Sequence, residues 1–357
     1  MRKYLGLLFW GFFAFGLPPS ILSAQTASQP TQLPALVERA HKAKVNEWTV
    51  GLAGGLLEGT LIRYAADIAK VLDDGENLRV IPMVTYGAVN NVNDLLNLRG
   101  VDVALTQADV LDHFKRELKV PGIENKIRYV CPLFRSEAHI LAREEFRTLR
   151  DLEGRKVSFG LPGMAANLTG QVIFQRLNIK IEPVFIDNAV AVERMRSGEI
   201  AAVVQVVGKP NALFAGLKPE AGFHFLPIED SSAFEDYYIP TSLTAEDYPA
   251  LVPAGETVPT IAVQTILAVY NWPATSDRYR RISRFIDAFF TKFERLQNPP
   301  FQPKWSEVNL AGTVQGWTRY PVADQVLSKI AGKARDLAQP SADVPNASAR
   351  PRIERRQ

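Results

Sequence analysis

Short apolar runs alternate along this chain with stripes at three-and-four spacing, which predicts strands followed by helices. Residues 48–53 read as a strand, 54–59 as a glycine-rich loop, and 60–72 as a helix. In that helix Ile62, Ala65, Ala66, Ala69 and Leu72 recur at helical spacing. A strand-like segment at 78–87, a helix from about Val89 to Leu98 and a strand at 101–107 follow. The same order then restarts: strand 156–160, loop 161–167, helix 168–179, strand 182–186, helix 189–198 and strand 199–207. The echo reaches single residues, because the interval from Gly100 to Gln107 equals that from Gly198 to Gln205. Strands alternating with helices imply parallel βαβ units. Two such series predict two similar α/β lobes; one large doubly wound sheet is the alternative.

Two long apolar segments, 126–142 and 258–272, are placed to join the lobes as a two-strand hinge, the chain crossing to the second lobe and back. This gives lobe I as 45–135 with 262–335, and lobe II as 136–261. From Arg278 to Leu296, Ile282, Phe285, Ile286, Phe289, Phe290, Phe293 and Leu296 form an aromatic stripe that reads as core of the first lobe.

The chain ends differ from the body. Arg2 and Lys3 precede an apolar run from Leu5 to Leu17, Pro18 and Pro19 break it, and Leu22-Ser23-Ala24 supplies a small residue for cleavage. That is the order of a secretory signal, so 1–24 is expected to be removed on export to the periplasm. No cysteine follows Ala24 to take a lipid anchor. Residues 25–44 are expected to form a leader, loose over its polar first part, and 336–357 a disordered tail.

Formal net charge is +3. Arg2 and Lys3 leave with the signal and the tail from Arg350 holds +3, so the body is near −2 (3 − 2 − 3). No basic face is implied, and nucleic acid is not an expected partner. The single cysteine, Cys131, lies in an apolar run and reads as a small buried hydrophobe. His41, His113, His139 and His224 are scattered, and no G-x-S-x-G or H-E-x-x-H motif occurs. No catalytic set can be assembled, so the chain is not expected to be an enzyme and no cofactor or metal is implied. Glu137 and His139, two apart on a strand, would share a face; a hydrogen-bonded structural pair is the plainer account.

Ligands of open α/β sheets bind where strands lead into helix N-termini, whose free N–H groups suit anions. The two equivalent loops, 53–60 and 161–167, therefore hold the candidate contacts. They are Gly55, Leu57, Glu58, Gly59 and Thr60 in the first, and Gly163, Met164, Ala165 and Asn167 in the second. Tyr86 stands near the end of the second strand-like segment. Gln107, Gly208 and Lys209 follow the third strands of the two series, and Lys209 could meet an acid. Thr60 and Asn167 could equally cap helices. Neither loop is a nucleotide-binding fingerprint.

From about Trp48 to Leu327 the chain resembles the TAXI-type solute-binding proteins of TRAP transporters. The segments that carry the resemblance are GLAGGLLEGTLIRYAADIA, LLNLRGVDVALTQADVL, KVSFGLPG, RSGEIAAVVQVVGKPNALF, TVPTIAVQTILAVYNWP and PPFQPKWSEVNLAG, in that order. The resemblance implies the type II periplasmic-binding fold, a monomer closing by hinge motion over a small carboxylate, notably glutamate or 2-oxoglutarate. It also implies delivery to a membrane permease driven by an ion gradient. The chain departs from the family where Gly163-Met-Ala-Ala-Asn167 replaces a hydroxyl-bearing loop. Thr60-Leu61-Ile62 replaces a Thr-Tyr-Tyr run, and Ala108 stands where Ser is common. A ligand with a carboxylate and an apolar body fits these changes. A periplasmic sensor acting on a signalling partner and an ABC-type binding protein, such as those for thiamine precursors, are the alternatives.

Overall fold

The computed structural model describes residues 33–338 apart from 58, 76, 219–221, 230 and 231. The expected signal segment and nearly all of the expected tail lie outside the described residues. Contacts divide the chain into two units, 1–42 and 43–357. The described part of the first is the start of helix α1, Leu33–Glu47, where an exposed Lys42–Glu38 pair spans 2.7 Å. The leader is thus helical from Leu33: Leu-Glu-Arg-Ala-Lys composition favours a helix once Pro34 sits in the first turn, where a missing N–H costs nothing.

The second unit follows the predicted order. Its first series is β1 (Thr49–Gly55), α2 (Thr60–Leu72), β2 (Arg79–Val84), α3 (Ala88–Asn97), β3 (Val103–Gln107), α4 (Ala108–Arg116) and the short α5 (Ile123–Lys126). The long β4 (Ile127–Arg143) leads to β5 (Lys156–Ser158), α6 (Gln171–Arg176), β6 (Glu182–Val184), α7 (Asn188–Arg196), β7 (Ala202–Val207) and the short α8 (Ala212–Ala215). Then come β8 (Phe223–Phe225), β9 (Tyr238–Thr244), the long β10 (Thr257–Tyr270), α9 (Asp277–Thr291), α10 (Phe293–Leu296) and α11 (Pro321–Ala338).

The strand order is β2-β1-β3-β10-β4-β7-β5-β6, with β8 on β4 and β9 on β10. Each series contributes three parallel strands, and β10 and β4 run antiparallel between them. A doubly wound sheet would continue in parallel pairs; here the two linking strands interrupt them. The architecture is α/β with two similar halves on a two-strand connection, as in a type II periplasmic-binding fold. Strand β4 changes partner along its length: Ile127 to Glu137 face β10, while Glu137 to Ala142 face β7. Gly100 and Gly198, which open the echoed third strands, both have positive φ, 92° and 81°, a backbone that favours glycine.

Packing explains the elements. In α2 the buried stripe is Ile62, Tyr64, Ala65, Ile68, Ala69, Val71 and Leu72, while Ala66 faces out, so the apolar face is turned from the simple alanine repeat. All seven residues of the aromatic stripe from Ile282 to Leu296 are buried with α2, β1 and part of β4, in the core of the first half. A break at Lys292 divides that stripe between α9 and α10. Cys131 is fully buried, and burial pushes its thiol pKa up. Among the described residues no helix is long and apolar enough to cross a membrane.

Candidate functional site

The loops after β1 and β5, together with the ends of β3 and β7, converge on one cleft. At its floor a cavity of about 50 Å³ is lined by Gly55, Gly59, Thr60, Tyr86 and Gln107 from the first half. Met164, Ala165 and Gln205 line it from the second, and Ser136 of β4 lies between. Its other walls, including Leu56, Leu61 and Val207, are apolar, and among the described residues no charged side chain lines it. A larger cavity of about 480 Å³ shares Leu56, Gly59, Met164, Gln205 and Val207 with the first and adds Leu57, Arg63, Asp187 and Asn188 among others. A third, of about 290 Å³, is lined by Thr60, Arg63, Gly208 and Lys209 among others. The larger two have the size of small-molecule sites.

The expected contacts divide into groups. Gly55, Gly59, Thr60, Tyr86, Gln107, Met164 and Ala165 reach the floor, Leu57 the larger cavity, and Gly208 and Lys209 the third. Glu58 lies outside the described residues. Gly163 and Asn167 line none of these cavities. The Gly163 carbonyl accepts from Val89 N–H at 3.3 Å, and a Cβ at Gly163 would meet that of Tyr86 at 3.2 Å. With φ at 93°, Gly163 is a close-approach point between the halves. Asn167 sits inside a π-helical turn, Ala166–Gly170, its carbonyl accepting from the Gln171 side chain.

Neither threonine nor asparagine caps its helix. The residue before α2 is Gly59, with no side-chain bond to the helix, so Thr60 is its first helical residue, and both line the floor. Lys209 is also committed elsewhere. Its ammonium lies 2.7 Å from Asp247 and donates to the Ser242 carbonyl at 2.9 Å. Its charge is therefore neutralised within the protein. Arg63 has no ion-pair or hydrogen-bond partner among the described residues and stands exposed where the two outer cavities meet. Its position one turn into α2 was readable from the helix assignment, but nothing in the sequence marked it as unpaired.

Two buried clusters frame the cleft. Glu137, 2% exposed, lies 2.6 Å from Lys304 Nζ and accepts from Lys209 N–H at 2.9 Å. Burial raises its pKa, opposed by Lys304. The expected Glu137–His139 pairing takes another form: His139 Nδ1 meets the Glu137 backbone carbonyl at 2.8 Å, and the carboxylate turns to Lys304. Asp109, in the first turn of α4, accepts from Thr169 Oγ1 at 2.6 Å and Tyr238 Oη at 3.1 Å, tying α4 to the π-helical turn and to β9.

Burial holds the Asp109 carboxyl above its unfolded value, against the pull of the two hydroxyls. The folded chain therefore takes up this proton before the unfolded chain does as pH falls. The stability contribution is complete below the unfolded pKa and fades as pH rises through the folded one. Asp109→Asn cannot titrate, so its stability relative to wild type is expected to rise with pH above about 4. Denaturant melts of both proteins across pH check this; parallel curves would exclude it.

A family model described as NMT1-like matches residues 52–289, more than half of the chain. The chain belongs to the NMT1-like family. Among curated proteins none matches the NMT1-like chain. Among solved structures, the periplasmic binding protein BugD shares 11% identity over 81% of this chain and 96% of its own, with a TM-score of 0.48. A structure described as a periplasmic transporter shares 11% identity over 82% of this chain and 95% of its own, at 0.46. The alkanesulfonate-binding protein SsuA from Xanthomonas axonopodis pv. citri, bound to MOPS, shares 12% over 79% and 83%, at 0.42. Among the described residues no group of three His, Cys, Asp or Glu side chains could hold a metal ion.

Proposed function

We propose that this chain is a periplasmic, monomeric and non-catalytic solute receptor. In this reading its halves close over a small organic ligand that bears a carboxylate and an apolar body. The observation that carries the reading is the convergence of equivalent loops and equivalent strand ends, Gln107 and Gln205, on one cleft. A ligand touching both halves favours the closed form by its differential contacts alone. Lobe I is assigned to 45–135 with 262–335 and lobe II to 136–261. The exchange of β4 between partners at Glu137, and of β10 between β3 and β9 near Ala262, supports these bounds.

The unpaired Arg63 is the counter-charge for the carboxylate, with the open N-terminus of α2 beside it. Leu56, Leu61, Met164 and Val207 receive the apolar body. The signal-like first 24 residues support export, and the TAXI-like segments support delivery to a TRAP-type permease. A thermal-shift screen of the chain from residue 25 against carboxylates, amino acids and aromatic acids tests the receptor reading, since a ligand of the folded state raises Tm by mass action. One chemical class should stand out, and Arg63→Ala should weaken an acid's binding about tenfold, a loss near 1.4 kcal/mol. Binding of hydrophilic amino acids alone would remove the apolar body, and silence across the screen would remove the receptor. Restored uptake in cells given this chain and its permease tests the delivery step.

A further inference from the structure

The direction of the Gln205 hydrogen bond at the cleft floor is fixed by groups outside it. His139 Nδ1 lies 2.8 Å from a backbone carbonyl, which can only accept, so that nitrogen carries the hydrogen. The ring is fully buried, and burial drives its pKa down to about 3. It is therefore neutral, and Nε2 is an acceptor. The Tyr248 hydroxyl, 2.7 Å away, must donate to it, and the hydroxyl oxygen accepts from Asn211 N–H at 2.6 Å. Asn211 is oriented by the same logic. Its Oδ1 accepts from the Phe214 N–H at 3.1 Å, so Nδ2 is the group that donates to Gln205 Oε1 at 3.0 Å.

What remains of Gln205 is its Nε2. Among the described residues that nitrogen has no partner; it is buried, on a residue only 3% exposed that lines the floor and the larger cavity. At the equivalent position of the first half, Gln107 Oε1 is likewise buried with no partner among the described residues, on a residue 1% exposed. Unmet buried donors and acceptors are costly, and a ligand that meets both removes that cost.

We infer that the cleft floor selects a neutral amide-type edge, in which a ligand carbonyl accepts from Gln205 and a ligand N–H donates to Gln107. A primary carboxamide or the lactam edge of a heterocycle has this pattern. A carboxylate end does not: it offers two acceptors, and one would face the Gln107 oxygen in a cavity with no cation among its described lining residues. The inference rests on the receptor reading and divides the ligand between two tasks, its acid at the Arg63 mouth and its amide at the floor. A turned Gln107 amide would present a second donor and reverse the preference, so the preference itself is the measurement.

Two matched pairs keep one carboxylate and change only the far end: glutaramate against glutarate, and 4-carbamoylbenzoate against terephthalate. Calorimetric titration of the folded chain should show the amide of at least one pair binding ten times more tightly than its diacid. Gln205→Ala should remove that advantage, and Gln107→Leu should do so from the first half if the first variant does not fold. Diacids that bind as well as amides, or an amide affinity unmoved by Gln205→Ala, overturn the inference and leave the receptor standing. Silence from both pairs overturns it too, and the receptor reading falls with it only if the wider screen is also silent.

Discussion

Lys304→Met is expected to lower the stability of the folded chain at neutral pH by about 3–5 kcal/mol, the range for stripping a buried carboxylate of its partner. Glu137 is held by two donors, the Lys304 ammonium at 2.6 Å and the Lys209 backbone N–H at 2.9 Å. Even so, burial keeps its pKa raised. Without the ammonium the carboxylate loses its only counter-charge at that distance and must bind a proton to stay inside. The defect should therefore shrink as pH falls, because a protonated Glu137 no longer buries a charge. Glu137→Gln in the same chain removes the charge while keeping an acceptor for Lys209 N–H, and should restore more than half of the loss. Urea melts of the single and double variants at several pH values decide the matter. A Lys304→Met protein as stable as wild type, or one whose defect ignores pH, would show that the pair carries no net weight.

Trp305→Ala should cost a similar amount, about 3–5 kcal/mol, through a cavity instead of a charge. The indole is fully buried, with its ring 4.7 Å from that of Tyr64, 6.3 Å from Phe289 and 6.1 Å from Phe293. Its Nε1–H donates to Asp67 at 2.9 Å, and Asp67 also accepts from Gln302 N–H at 3.0 Å. These bonds fasten the Pro303–Glu307 turn, and with it Lys304, onto α2. Since α2 also carries Thr60 and Arg63 to the cleft, truncation should weaken ligand binding as well as stability. A variant that melts as wild type does would mean the turn can repack around the gap. Trp305→Phe, which keeps most of the ring volume, should lose less than half as much.

The strand and helix order was legible because each element either alternates or repeats cleanly; α2 occupies the residues its spacing predicts. The echo of Gly100–Gln107 in Gly198–Gln205 was legible too, and it held a contact the sequence reading passed over. Gln205 stands at the position equivalent to Gln107, and symmetry should have carried the assignment across. Other features were not readable in principle. The partner of Lys209 is Asp247, far along the chain, and no local pattern announces a pair made by folding. The same holds for Glu137 with Lys304. The π-helical turn at 166–170 looks like ordinary helix in sequence, because an extra residue per turn leaves no compositional mark. Asn167, read from sequence as a loop residue at the cleft, lies in that turn and lines none of the cleft's cavities.

That turn has a consequence for how a guest must lie. The first half meets the cleft with the unblocked start of a thirteen-residue helix. The second meets it with Met164 and Ala165 at the head of a widened coil, whose buried Gly170 would drive a Cβ to within 2.7 Å of Phe159. Two halves that are near-copies in topology thus present unlike groups at the cleft: the start of α2 beside Arg63 from the first, and Met164 beside Gln205 from the second. The pseudo-twofold of the fold is broken there, so a ligand turned end for end would meet a different set of partners.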